Sequence, residues 1–562
     1  METERTEIGL RGGLAAAWLS FPAAYFYVEQ VLCKSHAPGG ARGRWEHLAF
    51  TLLFAAAVEA WSAVQKRARR RPEEAGLWCV CLLLEGLGMG MHGIWNGSIG
   101  FWQLLLWHVT AVLFVLARTG QLTEGRSGIF LGRDLLQGFC VLPWRNYLLR
   151  IRTLLRGHRT ERIDTAPGET ETTRGHAHRF ILLAGSAAAA LLISAFAWGQ
   201  LAAASSSFAR LGAWLTDPVG GLLAALDRAL GNFLDTFEDR IAFLLLSLPV
   251  GAWLFGLVGG ALQADEEEDR ADRVRAAMER RRKLPGLPLY LTAGALTLVY
   301  LAFFAVQISE VAARMDPSFG GHVVTPFSAM SFAVNGFWEL CRILLLNLAV
   351  FGTAVFFCRE DPLKRGPARA AGGALIVCSM ALSLLNMAKL SLYIRLCGFT
   401  PRRITAGWIL LVLAVCVGIA GCRLCRTFRA AELAIRVTAL SFAVLCCFGV
   451  EAYSIRDDLQ RYEAGIDAAP DVTLLGECGF CAQGEVIGYT ERLLEDGWFE
   501  GRDRSEIYTL YAEILDSETG WGNWPDGGEK ETWEIPLRGA GGAVRKLAVT
   551  LEGGRCTGAI LE

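Results

Sequence analysis

The sequence predicts an all-α polytopic membrane bundle of about eleven transmembrane helices with a small α+β soluble domain at its C-terminal end, and three observations predict it. Hydrophobic residues make up 53% of the 562 and mean hydropathy is +0.33, where soluble domains hold about 45–50% apolar residues. Long apolar runs alternate with short polar loops, and a span needs ~20 apolar residues to cross ~30 Å of hydrocarbon. Past Val450 the composition turns polar and acidic over a length that suits one small soluble domain.

The apolar runs cover residues 14–32, 48–64, 77–94, 99–117, 180–203, 241–262, 289–308, 336–358, 371–393, 404–421 and 433–450. The N-terminal Met-Glu-Thr-Glu-Arg segment is acidic as well as basic, and no small-residue cleavage site follows the first run. That run therefore reads as a span rather than as a cleaved leader. Orientation follows from Lys and Arg in the loops. Lys66, Arg67, Arg69, Arg70 and Arg71 fall in one loop, and the stretch 118–179 holds eleven Arg against six acids. Arg280, Arg281, Arg282 and Lys283, then Arg359, Lys364, Arg365 and Arg369, then Arg423, Arg426 and Arg429 fall on the same side. That side is expected to be cytoplasmic, with the N-terminus inside and the C-terminal domain extracytoplasmic. Arg395, Arg402 and Arg403 are the exception and fall on the other side.

Two stretches pattern as interfacial helices. Leu222, Leu223, Leu226, Leu230, Phe233, Leu234 and Phe237 recur at helical spacing opposite Asp227, Arg228, Asp235 and Glu238. Trp144, Tyr147, Leu148, Ile151, Leu154 and Leu155 alternate with Arg145, Arg150, Arg152 and Arg156. This second helix either binds anionic lipid on the cytoplasmic leaflet, at ~1 kcal/mol per basic residue, or packs under the bundle with its Arg residues solvated. An acidic run at Asp265–Asp269 reads as a solvated linker. In the C-terminal domain, residues 457–465 and 487–498 pattern as helices, and 532–537, 546–551 and 556–561 as strands. Glu552-Gly-Gly-Arg555 supplies a hairpin turn. The expected division is 1–178, a four-span region with a basic loop; 179–452, a membrane core of about seven spans; and 453–562, the soluble domain.

Four segments resemble a known family: Tyr300 to Ile308, Gly336-Phe-Trp-Glu-Leu-Cys-Arg342 leading to Asn347, Leu392-Tyr-Ile-Arg-Leu-Cys-Gly-Phe-Thr-Pro-Arg-Arg403, and Arg461-Tyr-Glu-Ala-Gly465. They resemble the bacterial multi-pass membrane family called domain of unknown function 4173. The resemblance implies a membrane fold and a bacterial plasma membrane, and it implies no substrate, cofactor or catalytic residue.

Ionisable residues inside spans are the first functional candidates, because each costs ~2.5–3.5 kcal/mol at the bilayer centre and needs a partner, a wet cavity or a role. Glu339 and Arg342 share a face at i, i+3, either as a cavity lining or as a helix-end ion pair. Glu59 and Glu85 lie deeper in the second and third runs, and Lys389 follows Asn386 by about one turn. These could couple protons or ions, or be structural. Among the 16 cysteines, Cys478 and Cys481 have C-x-x-C spacing in the C-terminal domain. They form a disulfide or redox pair in an oxidising compartment, or remain ordinary thiols. The pattern predicts no cofactor and no metal: His176 and His178 lack a carboxylate pattern, and no second Cys pair lies near Cys478 in sequence to complete a four-ligand zinc site. Gly88-Met-Gly-Met-His-Gly93 matches a dinucleotide fingerprint in letters only. It follows no strand, so its glycines read as close-packing positions. A net charge of −1 gives no argument for nucleic acid.

Three functions remain from the sequence. The first is an envelope protein that is structural, sensing or partner-binding. The second is a secondary transporter or channel using the intramembrane charges. The third is a membrane-bound enzyme acting on lipid or cell-wall intermediates.

Overall fold

The computed structural model describes residues 2–33, 44–65, 72–95, 98–162, 233–264, 285–315, 337–358, 366–519, 530–539 and 542–562, with single residues between 272 and 283. In chain order the helices are α1 (Glu2–Phe26), α2 (Arg44–Val64), α3 (Pro72–His92), α4 (Ser98–Thr119), α5 (Leu131–Leu136), α6 (Leu142–Arg145), α7 (Leu149–Arg162), α8 (Phe233–Gln263) and α9 (Leu287–Met315). They continue as α10 (Phe337–Phe357), α11 (Pro367–Cys397), α12 (Pro401–Cys425), α13 (Ala430–Cys447), α14 (Val450–Glu463), α15 (Val472–Glu477), α16 (Val486–Glu495) and α17 (Arg504–Thr519). Strands β1 (Lys530–Arg538), β2 (Val544–Glu552) and β3 (Arg555–Leu561) close the chain.

Among the described residues, seven helices are long and apolar enough to cross a membrane: α2, α3, α4, α8, α11, α12 and α13. Each coincides with an expected run. Helices α9 and α10 carry shorter described apolar stretches, Tyr290–Val306 and Arg342–Thr353. The first expected run falls in α1 and its π-helical continuation Tyr27–Cys33. The expected span 180–203, most of the expected interfacial helix from Leu222, and the run Asp265–Asp269 lie outside the described residues, as do His176 and His178.

The chain divides into two compact units, residues 1–28 with 148–254 and residues 29–147 with 255–562. In the first unit, α7 packs against α1. Arg150 is buried there, donates from Nη2 to the Leu248 carbonyl at 2.9 Å, and lies 4.1 Å from the Phe21 ring centroid. Of the four Arg expected to meet anionic lipid, Arg150 is thus engaged in packing, whereas Arg145 and Arg152 are exposed. The side chain of Arg156 lies outside the described residues.

In the second unit α3 is the central helix, in contact with α2, α4 and α13. Gly88 permits the closest of these approaches, since a Cβ there would overlap the Cys446 backbone. The glycines of the rejected fingerprint include one true packing position. Large apolar side chains such as Leu411, Val415, Leu440 and Val444 point outward from α12 and α13, a surface that suits hydrocarbon surroundings. Trp45 and Trp102, at the starts of α2 and α4, are also exposed, as in an interfacial aromatic belt.

The turn between α11 and α12 shows how local sequence sets the fold. Gly398 ends α11 with φ +73, and its N–H donates to the Ile394 carbonyl. Thr400 then caps α12 by accepting from Arg403 N–H, with Pro401 in its first turn. Gly-Phe-Thr-Pro is a stop signal followed by a start signal, and it folds the two helices into a hairpin.

The C-terminal domain is a three-stranded antiparallel meander ordered β1-β2-β3, backed by helices. Gly553 and Gly554 take φ of 57° and 80° in the β2–β3 turn, the geometry that suits a tight hairpin. Trp533, Ile535, Leu537, Leu547, Val549 and Leu551 alternate onto the buried face and pack with Phe480, Leu493, Ile507 and Tyr511. The three strands lie where the alternation predicts, within two residues at each end. The expected helix 457–465 begins earlier, at Val450, and only Phe448 and Gly449 separate it from α13. Helices α15 and α17 have no counterpart in the sequence reading.

Candidate functional site: the junction of bundle and C-terminal domain

Two family-like segments far apart in sequence meet at one place. Arg461 on α14 donates from Nη2 to the Leu396 carbonyl at 3.0 Å and from Nη1 to the Arg395 carbonyl at 3.2 Å. These are orphan carbonyls of the last turn of α11, which a cation satisfies well. The same guanidinium pairs with Asp467, Nε to Oδ2 at 2.7 Å. One turn earlier on α14, Asp457 accepts the Phe399 N–H at 2.8 Å. Thus α14 fills the acceptors at the end of α11 and a donor in the following turn. Arg403 closes the same turn from inside, donating to the Gly398 carbonyl at 2.8 Å and to Tyr393 Oη at 3.0 Å, with its guanidinium 4.2 Å from the Tyr393 ring centroid. Arg403, counted against the loop-charge orientation, therefore has a structural task at this end.

Asp458 is the buried neighbour of this grip. Its Oδ2 accepts from Asp471 N–H at 3.0 Å, and Asp471 in turn caps α15 through Leu474 N–H. Burial, with Asp471, Asp467 and Asp457 nearby, pushes its carboxyl up to about 7, against a smaller opposing effect of the Asp471 N–H. Beyond it, Tyr462 Oη donates to Asp496 Oδ2 at 2.7 Å on the rim of an open polar depression of about 490 Å³ that also includes Trp498, Arg502, Asp503 and Arg555.

The opposite end of α3 and α13 is held by ions. Arg436 Nη2 reaches Glu74 Oε2 and Glu432 Oε1, each at 2.7 Å, and Arg126 Nη1 reaches Glu432 Oε2 at 3.1 Å. Glu74 also accepts Ser127 N–H at 2.7 Å, and Trp78 Nε1 donates to Ser127 Oγ at 2.8 Å. Glu59 on α2 pairs with Arg118 on α4 at 2.8 Å. Sequence reasoning singled out Glu59 without its partner and missed the Glu74 cluster, although Glu432 and Arg436 stand at i, i+4 and Arg436 is a charge inside the run 433–450; Glu74 and Arg126, at a helix start and in a loop, carry no such local signal.

The other expected residues do not converge. Glu85 is buried on α3, where Oε1 accepts from Thr110 Oγ1 at 3.0 Å. Arg342 is exposed on α10, and the side chain of Glu339 on the same helix lies outside the described residues. Lys389 is half-buried on α11. In place of a charge constellation, a chain of neutral groups joins three helices: Tyr300 Oη donates to Asn347 Oδ1 at 2.5 Å, and Asn347 Nδ2 donates to Ser379 Oγ at 2.9 Å. Tyr300 and Asn347 both come from family-like segments.

Cys478 and Cys481 are buried free thiols. Cys481 Sγ donates to the Leu510 carbonyl at 3.3 Å. Burial, then nearby carboxylates, push both thiols far up, opposite to the lowered pKa that makes a cysteine reactive. Among the described residues no group of three or more His, Cys, Asp or Glu is arranged to hold a metal ion.

A family model described as "Domain of unknown function (DUF4153)" matches residues 75–483. The match runs from α3 through the junction to the start of the C-terminal domain. A membrane family of unknown function is what the sequence resemblance implied, but the match gives no support to number 4173. No curated protein and no solved structure matches.

Proposed function

We propose that this chain, which belongs to the DUF4153 family, is a multi-pass protein of a bacterial plasma membrane that senses or binds a partner through an extracytoplasmic domain held rigidly on the bundle. The observation that carries this reading is the Arg461–Asp457 grip on the α11–α12 turn. It makes the domain part of the helix framework, so that a partner's contact on the domain is felt at α11. The side follows from loop charge. The domain shares its end of the bundle with the α3–α4 and α11–α12 turns, because His92 Nε2 lies 3.1 Å from the Cys447 carbonyl just before α14. Glu74, Arg126 and Arg436 lie at the other end, next to the basic loops. Lys and Arg favour the cytoplasmic side, so this supports an extracytoplasmic domain. About eleven spans agree with that placement, since an odd number separates the two termini.

The test is a pair of fusions after Glu562, one to alkaline phosphatase and one to a green fluorescent protein. Phosphatase activity without fluorescence supports the reading. Fluorescence without phosphatase activity places the domain in the cytoplasm and overturns it. Proton- or ion-coupled transport is the second reading, and buried Glu85 favours it.

A further inference from the structure

Glu85 and Gln103 are each 1% exposed inside the second unit. Glu85 Oε2 has no hydrogen-bond partner, and the Gln103 amide faces the Cys446 thiol. Glu85 Oε1 accepts from Thr110 Oγ1, and Gln103 Oε1 accepts the Trp95 N–H at 2.9 Å. Gln103 and Thr110 lie two turns apart on one face of α4, the helix that packs on α3. The Cys446 thiol of α13 lies beside both Glu85 and Gln103. An unmet carboxyl oxygen is thus enclosed in a three-helix contact.

An ionised carboxylate there would need a cation. Among the described residues, the arginine of α4 and that of α13 nearest its middle are committed to other acids, Arg118 to Glu59 and Arg436 to Glu74 and Glu432. The titratable groups around Glu85 are thiols, Cys81 on its own helix and Cys446 and Cys447 on α13. From α4 it receives the Thr110 hydroxyl, and His108 of α4 lies near His47 of α2. A neutral carboxylic acid fits this setting, because it needs no counter-ion. Gln103 links the site to the α3–α4 turn through Trp95, and His92 sits two turns beyond Glu85, roughly 10 Å along the helix.

We propose that Glu85 is a proton-binding site within the membrane bundle, occupied as the neutral acid and exchanging its proton with water from the α3–α4 end of the bundle. The proposal stands apart from the partner-binding reading, and the failure of either leaves the other intact. Dicyclohexylcarbodiimide, a neutral membrane-permeant reagent that adds protonated carboxyls, is the probe, applied to the full chain in native membranes. The expected result is an adduct on Glu85 mapped by mass spectrometry. Labelling falls at least tenfold as the pH is raised to alkaline values and is absent in Glu85→Gln. Infrared difference spectra of wild type against Glu85→Gln then show a protonated-carboxyl band that shifts in D2O. Thr110→Val, which keeps Glu85, moves that band to higher wavenumber. No adduct at any pH, or no carboxyl band, overturns the site. A band that does not shift in D2O overturns the exchange route.

Discussion

Replacing Arg461 with alanine opens the junction without touching any hydrophobic contact of the domain core. Three contacts are lost. The Asp467 pair is the weakest, because the Asp467 side chain is 36% exposed, and an ion pair so placed contributes ~1 kcal/mol or less. The bond to the Leu396 carbonyl is charge-assisted and contributes about 1.5 kcal/mol. The longer bond to the Arg395 carbonyl lies at the exposed edge and adds a few tenths of a kcal/mol by the same reasoning. Together they favour the docked state by about 2–3 kcal/mol, or roughly 30- to 150-fold at 1.4 kcal/mol per tenfold. The assay is native-state hydrogen exchange on the full chain in detergent micelles. Amides of residues 395–400 should lose protection by that factor, because Phe399 N–H depends on Asp457 of the same helix and Gly398 N–H on the last turn of α11. Amides in β2 should not change, since the sheet core is untouched. If residues 395–400 exchange at wild-type rates in Arg461→Ala, the grip contributes nothing, and the claim that the domain is rigidly held loses its basis.

Three further outcomes follow from the same structure. Glu59→Gln leaves the Arg118 side chain, 5% exposed, without its carboxylate; a loss of about 2–3 kcal/mol is expected, read as a lower midpoint in thermal unfolding by tryptophan fluorescence. Asp458 has a folded pKa of about 7 against an ordinary 3.8, so the folded form binds the proton more tightly. Stability of the C-terminal domain therefore falls as pH rises from about 4 to about 7, by at most ~1.4 kcal/mol per pH unit from this group, and Asp458→Asn should flatten a urea titration over that window. Cys478 and Cys481 should resist iodoacetamide in the folded protein and react on unfolding, while exposed Cys140, Cys422 and Cys425 react first; mass spectrometry of the alkylated chain decides it.

Local grammar made much of the fold legible. Apolar length announced α2, α3, α4, α8, α11, α12 and α13, and two-residue alternation with a Gly-Gly turn announced the three strands. Helix α14 begins before its helical pattern is legible, because Val450 is the last residue of the apolar run 433–450 and the next few residues carry no clear amphipathic stripe. The αL glycine that separates α13 from α14, φ +68 at Gly449, is a conformation and not a composition. Helices α15 and α17 lack a clean apolar stripe, and α17 carries a non-helical Tyr511 within it. The site was legible only in part. Glu59 and Glu85 attract notice because charge is rare in apolar runs. Arg461, Asp457 and Glu74 sit in polar segments where charge is ordinary, and their partners are chosen by tertiary contact across tens to hundreds of residues; Arg436 lies inside the apolar run 433–450 and carried the same signal as Glu59 and Glu85.

The two-residue step from α13 to α14 fixes how far the domain can reach. A domain on a flexible leash of n residues explores a radius of roughly 5–6 Å × √n and raises the effective concentration of whatever it carries throughout that volume. Here the leash is Phe448 and Gly449, and the His92 ring lies within 3 Å of where a Cβ on Gly449 would sit, so the step cannot swing freely. The domain therefore samples almost no volume of its own. Its position is set by that of the bundle, and on the partner-binding reading a partner has to come to it at a set height and a set orientation.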